Sequence, residues 1–482
     1  MKKLMIAAPK SGSGKTTITI ALLKALKENS IKTVSFKCGP DYIDPLFHKM
    51  VLCIPSYNLD TFFTGDYKTK ELFLENSNGF DFALTEGVMG IFDGVGGSSL
   101  QGSSYNLAEV CDMPIVMVFD AKGMGAISVS AMIKGFLSYD EKNLIKGVIL
   151  NKASKPFYEK IKDQVEKETG IKLLGCMPEN KDINISSRHL GLVTPSDIDD
   201  MDEILNKLYK EFSCNVSLDE ILNAAGEELN TAGEKMNTAG EELNAAGNEL
   251  KTAGEEVPNF SRDKEGKILD NKCNIAIAKD DAFCFLYEEN INVLKQNGAN
   301  IICFSPLKDN GIPKDADAII IPGGYPEEHL VELSKNLDMF KSIKEAYENK
   351  MPIIAECGGF MYLHESIEDK ENNSFAMAGV VKGKCFYLGK SKRFGYIEIK
   401  EKNADYLGKG ESIKGHEFHY YESDNNGDSC VAIKPSNKSE YECVIKEENL
   451  WAGFAHLYYP SNERFAKSVI KKAEEYRNKN RG

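Results

Sequence analysis

The chain alternates short apolar runs with stretches of helical periodicity. In its first part the runs are Leu4–Ala8, Thr33–Lys37, Phe82–Glu86, Ile115–Asp120 and Gly147–Asn151, separated by helical stretches such as Thr16–Lys27. Such runs, bounded by turns and helices, are the pattern of parallel strands buried on both faces. The pattern returns with Asn274–Ala278, Asn300–Phe304, Ala316–Pro322 and Pro352–Cys357. This predicts two doubly wound α/β domains. Between them, five consecutive sevens run from Asn223 to Val257: NAAGEEL, NTAGEKM, NTAGEEL, NAAGNEL and KTAGEEV. Alanine alternating with Leu, Met or Val has heptad spacing, but a glycine in every repeat costs a helix ~1 kcal/mol and alanine buries little in return. The repeat reads as a flexible or partly helical linker, with an ordered helix or dimer contact as the alternative. The expected division is 1–212, a linker over 213–270, and 271–482.

Composition changes the picture only by exclusion. A chain of 482 residues with 42% hydrophobic and 27% charged residues suits two globular cores. No apolar run reaches the ~18 residues of a membrane span, and the N-terminus runs straight into a glycine loop, so a cytoplasmic protein is expected. The 12 cysteines include no C-x-x-C pair, which argues against a zinc site and a disulfide framework. A net charge of −14 disfavours nucleic acid and anionic membranes as partners, and requires any anionic substrate to be held by local basic groups.

APKSGSGKTT follows the first strand and opens a helix. Backbone N–H groups around Gly12, Ser13 and Gly14 can wrap phosphate, with Lys15 supplying charge and Thr16 offering a hydroxyl to Mg²⁺. Pro9 stands where the usual first glycine would be. The run Lys10, Gly12, Ser13, Gly14, Lys15, Thr16, Thr17 resembles instead the deviant loop of the dethiobiotin synthetase and partition-ATPase class. In some members the early lysine, here Lys10, reaches nucleotide across a dimer, so the resemblance admits a homodimer. Asp41 and Asp44 in KCGPDYIDP and Glu86 in TEGVMGIFDG sit after the second and third strands. In a parallel sheet those strand ends lie near the phosphate loop, where a carboxylate can hold Mg²⁺ directly or through water.

PIIAECGGFMYL places Cys357 at the end of a strand, before two glycines and a helix N-terminus that would stabilise a thiolate and an oxyanion. PGGYPE ends the preceding strand and can add backbone donors from Gly323 and Gly324. AHLYYP offers His456 as a base. Cys357 and His456 read as a nucleophile pair that forms a thioester with a carbonyl or amide, against a buried core thiol. His416 and His419 in GHEFHY are three apart and face opposite sides of a strand, so they read as interface or packing residues rather than metal ligands. Arg188 and His189 can bind substrate carboxylates or hold a turn. Asn151 and Lys152 can contact adenine or cap a strand.

Together APKSGSGKTT, KCGPDYIDP, TEGVMGIFDG, SRHLGLV, PGGYPE, AECGGFMYL, GHEFHY and AHLYYP, in this order, resemble the cobyrinate a,c-diamide synthase family. The resemblance implies a dethiobiotin-synthetase-like domain joined to a class I glutamine amidotransferase domain, with ATP, L-glutamine and a corrinoid, cobyrinate, as partners. Glutamine would be attacked by Cys357 and its intermediate held by the amides around Gly323, Gly324 and Gly358. The released ammonia would attack an acyl phosphate made from a substrate carboxylate. Lys15 and Thr16 match phosphate and Mg²⁺ positions, Asp41 and Glu86 positions tied to metal or intermediate, and Tyr42 and Asp44 positions linked to substrate. Many class I amidotransferases carry a glutamate two residues after the histidine. Here that position is Tyr458, so a Cys–His dyad is expected. Two alternatives stand: a nickel-sirohydrochlorin a,c-diamide synthase, which would leave nearly identical motifs, and a partition-type switch ATPase in which Cys357 is structural, which leaves PGGYPE, AECGGF and AHLYYP unexplained.

Overall fold

The computed structural model describes residues 1–180, 198–227, 272–391 and 393–481. The first half is a sheet of β1 (Lys2–Ala7), β2 (Thr33–Cys38), β3 (Ser56–Leu59), β4 (Phe82–Glu86), β5 (Ile115–Asp120), β6 (Ile145–Asn151) and β7 (Leu173–Met177), in the order β3-β2-β4-β1-β5-β6-β7. Every neighbouring pair is parallel. Side chains of β2 and β4 are buried throughout, as helices cover both faces. The register puts Ile6 of β1 and Lys37 of β2 on either side of Glu86, so the loops after β1, β2 and β4 open at one edge. Helix α1 (Lys15–Glu28) starts directly after Gly14, whose φ of 98° suits glycine. Helix α2 is Ile43–Met50.

Residues 213–227, which the repeat-based division assigns to the linker, pack onto this sheet. The helix Ile198–Asn215 lies on α1 and β7, Leu218–Ala224 forms a further turn of helix, and β8 (Gly226–Glu227) pairs antiparallel with Lys2 and Lys3. The apolar residues Leu205, Leu208, Phe212, Val216 and Ile221 bury themselves in the core there, which extends the domain past its expected edge. The first repeat, from Asn223, thus begins inside the domain; the later repeats, with Arg188 and His189, lie outside the described residues.

The second half has a sheet in the order Ala299–Phe304, Cys273–Ala278, Ala318–Ile321, Ile353–Glu356, Leu450–Gly453 and Ile445–Lys446, parallel except at the last pair. Two further sheets, one mixed and one antiparallel and both absent from the reading of the sequence, complete it. The larger runs Glu440–Cys443, Cys430–Ile433, Arg393–Glu401, Ser412–His419 and His456–Leu457. Its inner face buries Ile397, Ile399 and Ile413, while its other face turns toward the first half.

The halves meet through Tyr42, Phe62 and Phe63 on one side and Tyr287 and Tyr458 on the other. Around this cluster the Tyr396 hydroxyl donates to Asp60 Oδ2 at 2.6 Å, Lys414 Nζ to the Phe62 carbonyl at 2.7 Å, and the Asn58 N–H to Glu289. Among the described residues no helix is long and apolar enough to cross a membrane.

Candidate active site

The glycine loop, the acidic loop after β2 and Glu86 converge at the open edge of the first sheet. Lys15 is buried, and its Nζ donates to the carbonyls of Lys10 and Met89. Burial, with the nearby Lys37 charge, lowers its pKa to about 8. Ser13 Oγ donates to the Lys10 carbonyl, and Asn151 Nδ2 donates to the Ser13 carbonyl at 2.9 Å. Asn151 therefore braces the loop backbone: a Cβ at Gly14 would fall 2.1 Å from its amide nitrogen. Lys152 instead pairs with Asp120 at 2.7 Å. Lys10 and Gly12 are exposed at the mouth of the loop, beside half-buried Thr16 and Thr17.

Thr16 Oγ1 donates to Glu86 Oε1 at 2.6 Å. The same oxygen accepts from Lys37 Nζ at 2.9 Å; Lys37 also donates to Asp44 and lies 3.7 Å from Asp41. Burial works against the Lys37 ammonium, but its three carboxylate neighbours outweigh that and hold it charged. For Asp44 burial favours the neutral acid, yet Lys37 keeps the carboxyl below its ordinary range. Burial and the Asp44 charge raise Glu86 to about 7. Asp41 Oδ1 accepts the N–H of Ile43 and weakly that of Asp44, so it also caps α2. Lys37 was missed in reading the sequence, though a lysine inside the buried run TVSFKC must find carboxylates, and that signal was available.

A magnesium ion suits this donor set. Glu86 Oε2 is buried with no hydrogen-bond partner among protein groups, beside the Thr16 hydroxyl. Among the described residues no group of three or more His, Cys, Asp or Glu could hold a metal, so the protein offers one hydroxyl and a carboxylate rather than a cage. That matches Mg²⁺, which keeps waters and phosphate oxygens among its ligands.

Cys357 stands between the strand Ile353–Glu356 and the short helix Gly358–Leu363 with φ 47° and ψ −105°. A residue with a Cβ rarely adopts this backbone, and the strain projects the side chain from the strand end. Its N–H donates to Gly453 O at 2.8 Å, fixing the turn. Gly323 lies against both Cys357 and His456: a Cβ there would sit 2.3 Å from His456 Cε1, 3.0 Å from Nδ1 and 3.3 Å from Cys357 Cβ. Gly324 N is 3.1 Å from where a Gly358 Cβ would be, so the three glycines enclose one small space above the thiol. Burial pushes the Cys357 thiol up, and burial with the neighbouring His416 and His419 pushes His456 down. The resting pair is thus a neutral thiol beside a neutral imidazole.

No carboxylate lies behind His456 at the expected position. Tyr458 points its ring onto Phe63, stacked at 4.9 Å. The imidazole lies instead against His416, stacked at 4.9 Å, and Tyr42 of the first half, at 5.3 Å. His419 stacks on Phe454 on the opposite face of the strand, as the spacing predicts. Glu356, also missed in the sequence, is buried beside Cys357 and accepts the Leu457 N–H; burial raises it to about 8.

A phosphate-loop domain and a strained cysteine with a facing histidine, packed on one another, define a glutamine-hydrolysing ligase with a nucleotide-binding half. Residues 4–193 match the CobQ/CobB/MinD/ParA nucleotide binding domain, and 274–464 the CobB/CobQ-like glutamine amidotransferase domain. A cobyrinate a,c-diamide synthase of Caldanaerobacter subterraneus is 36% identical over 94% of each chain. Proteins of the same name from Fusobacterium nucleatum (37%, over 98% of this chain and 100% of that one) and Thermoplasma acidophilum (34%, over 97% and 99%) are similar along nearly their whole length. The chain belongs to the cobyrinate a,c-diamide synthase family.

Proposed function

We propose that the protein amidates the a and c acetate carboxylates of cobyrinate, using ATP and ammonia drawn from glutamine. The observation that carries this is the contact of Tyr42 with His456. Tyr42 lies between Asp41 and Asp44 in the acidic loop of the nucleotide half, so the two chemistries open onto one interior.

At the thiol, Cys357 Sγ attacks the glutamine side-chain carbonyl as its proton passes to His456. The oxyanion lies toward the backbone N–H groups around Gly323, Gly324 and Gly358. Collapse expels ammonia with the proton returned by the imidazolium, and water then releases glutamate from the thioester. In the nucleotide half the loop amides and Lys15 hold the ATP phosphates, with Lys10 at the mouth. A carboxylate oxygen of the substrate attacks the γ-phosphorus and ADP leaves. Ammonia then displaces phosphate from the acyl carbon to form the amide. Tyr42 and Asp44 contact the substrate. Thr16 and Glu86, with Asp41 nearby, would hold Mg²⁺, which would offset negative charge on the phosphates. Ammonia is mostly protonated at neutral pH, so an enclosed interior preserves its nucleophilic form.

The test is uncoupling. Cys357→Ser should abolish glutamine-dependent amidation of cobyrinate yet retain synthesis from concentrated ammonium, while Lys15→Ala should lose both. Full glutamine-dependent activity in Cys357→Ser would remove the nucleophile assignment. Turnover of nickel sirohydrochlorin alone would redirect the substrate assignment.

A further inference from the structure

We propose that the exposed aromatic cluster Phe394, Phe418 and Tyr420, rimmed by Lys390 and Lys434, is the platform on which the substrate macrocycle lies, a flat tetrapyrrole with peripheral carboxylates. This rests on the function proposed above and adds a binding surface to it.

Phe394 and Phe418 face each other across the antiparallel pair Arg393–Glu401 and Ser412–His419. Their rings meet edge to face at 5.4 Å, and Phe418 meets Tyr420 the same way at 5.5 Å. All three are open to solvent, at 67%, 49% and 46% exposure. Single exposed apolar side chains are ordinary, but three joined through Phe418 form a patch that calls for a ligand.

Its place in the fold says which ligand. Side chains two apart on a strand share a face. One step inward from Phe394 is Tyr396, covered by Phe62 and hydrogen-bonded to Asp60; one step inward from Phe418 is His416, 5.6 Å from Tyr42. The cluster is thus the uncovered end of a face whose covered end reaches the acidic loop with Asp41 and Asp44. The glycine-rich segment after Glu86 flanks it, since Gly102 approaches Tyr396 and Gly96 approaches Ser436. A flat ligand on the cluster has its inner edge at the Tyr42 loop, where a peripheral carboxylate can enter.

Charge points the same way. The chain is net −14, yet the rim is basic. Lys434 Nζ donates to the Phe394 carbonyl at 3.3 Å. Lys390 follows Leu388, whose N–H donates to the Tyr420 carbonyl at 2.9 Å. An apolar face with lysines at its edge fits a planar polycarboxylate better than a protein partner, whose contact surface would put apolar side chains at the centre over a broader area.

The experiment uses the full chain and cobyrinate, with nickel sirohydrochlorin as a parallel probe, in ATP- and glutamine-dependent synthesis. Phe394→Ala with Phe418→Ala should raise the KM for the tetrapyrrole by roughly tenfold or more, while Phe394→Tyr with Phe418→Tyr, which keeps the rings, should stay near wild type. Lys390→Glu with Lys434→Glu should raise that KM at low salt, with the difference shrinking at high salt. A KM within about twofold of wild type in the double alanine variant, folded by its circular dichroism, overturns the platform while the function stands. The same unchanged KM with a shifted oligomeric state would mark the patch as an interface between copies and also overturn it. A wild-type enzyme that turns over neither tetrapyrrole rejects the function itself.

Discussion

Gly323→Ala offers the most direct probe of the thiol site, because the structure fixes what the added methyl group meets. It would lie 2.3 Å from His456 Cε1, whereas ordinary contact begins at 3.4 Å, so the ring must retreat by about 1 Å. The ring has little room to do so, being buried against His416 and Tyr42. Cys357 Cβ, already 3.3 Å from the new carbon, limits how far the methyl group can give way instead. Overpacking of this kind costs about 1–3 kcal/mol of stability, which a domain of this size survives. A displacement near 1 Å at reacting groups costs ~100-fold in rate. Glutamate release should therefore fall about 100-fold, while synthesis from ammonium continues because the nucleotide half is untouched. The assay is glutamate production alongside amide formation with either nitrogen source. If glutamate release stays within about threefold of wild type, Gly323 does not separate the reacting pair and the site is misassigned.

Two further outcomes follow from the nucleotide half and the interface. Glu86, raised to about 7, must be ionised to accept from Thr16 and Lys37, and Lys15, lowered to about 8, must be charged to hold phosphate. Protonation of Glu86 below the first value and deprotonation of Lys15 above the second should make kcat/KM for ATP fall on both sides, and Glu86→Gln should remove the acid limb; a flat profile from about pH 6 to 9 refutes the assignment. Tyr396→Phe deletes the hydroxyl that donates to buried Asp60 at 2.6 Å, leaving that carboxylate with the Phe62 and Phe63 N–H groups. It should destabilise the protein by roughly 1–3 kcal/mol in urea titration, and no shift in midpoint would show that this bond between the halves contributes nothing net.

The parallel strands were legible because each is a short apolar run between turns, and their ends carried the chemistry. APKSGSGKTT, Glu86 and PIIAECGGFMYL all fall at carboxyl ends of strands, where the reading placed them. The short strands β3 and β7 were not separable from neighbouring loops by periodicity, and the antiparallel strands of the second half alternate too irregularly over few residues to stand out. Residues 213–227 were misplaced because the repeat begins at Asn223, and its composition masked the strand Gly226–Glu227 that closes on β1. Contacts such as Asp60 with Tyr396, 336 residues apart, have no local signature at all. Lys37 is the exception, since a buried lysine announces its partners.

The position two residues after His456 is occupied by a ring that joins the two halves rather than by a carboxylate. Tyr458 stacks on Phe63 and reaches the Asn58 carbonyl at 3.5 Å, so the residue is used to join the halves. An acid at 458 would be buried against Phe63 and the Asn58 carbonyl, both poor partners for a negative charge. The imidazole packs instead against both His416 of its own half and Tyr42 of the other, which also touch one another, and burial keeps His416 neutral by lowering it to about 3. A neutral stacking partner orients the ring without drawing its proton away from the thiol. Because one of the two flanking rings belongs to the nucleotide half, the base acquires its full set of neighbours only when the halves are docked. Tyr42 is also two residues from Asp44, whose carboxylate answers to Lys37 and, through it, to Glu86. Tyr42 thus joins the acidic loop, through the chain itself, to the imidazole that its ring contacts in the other half.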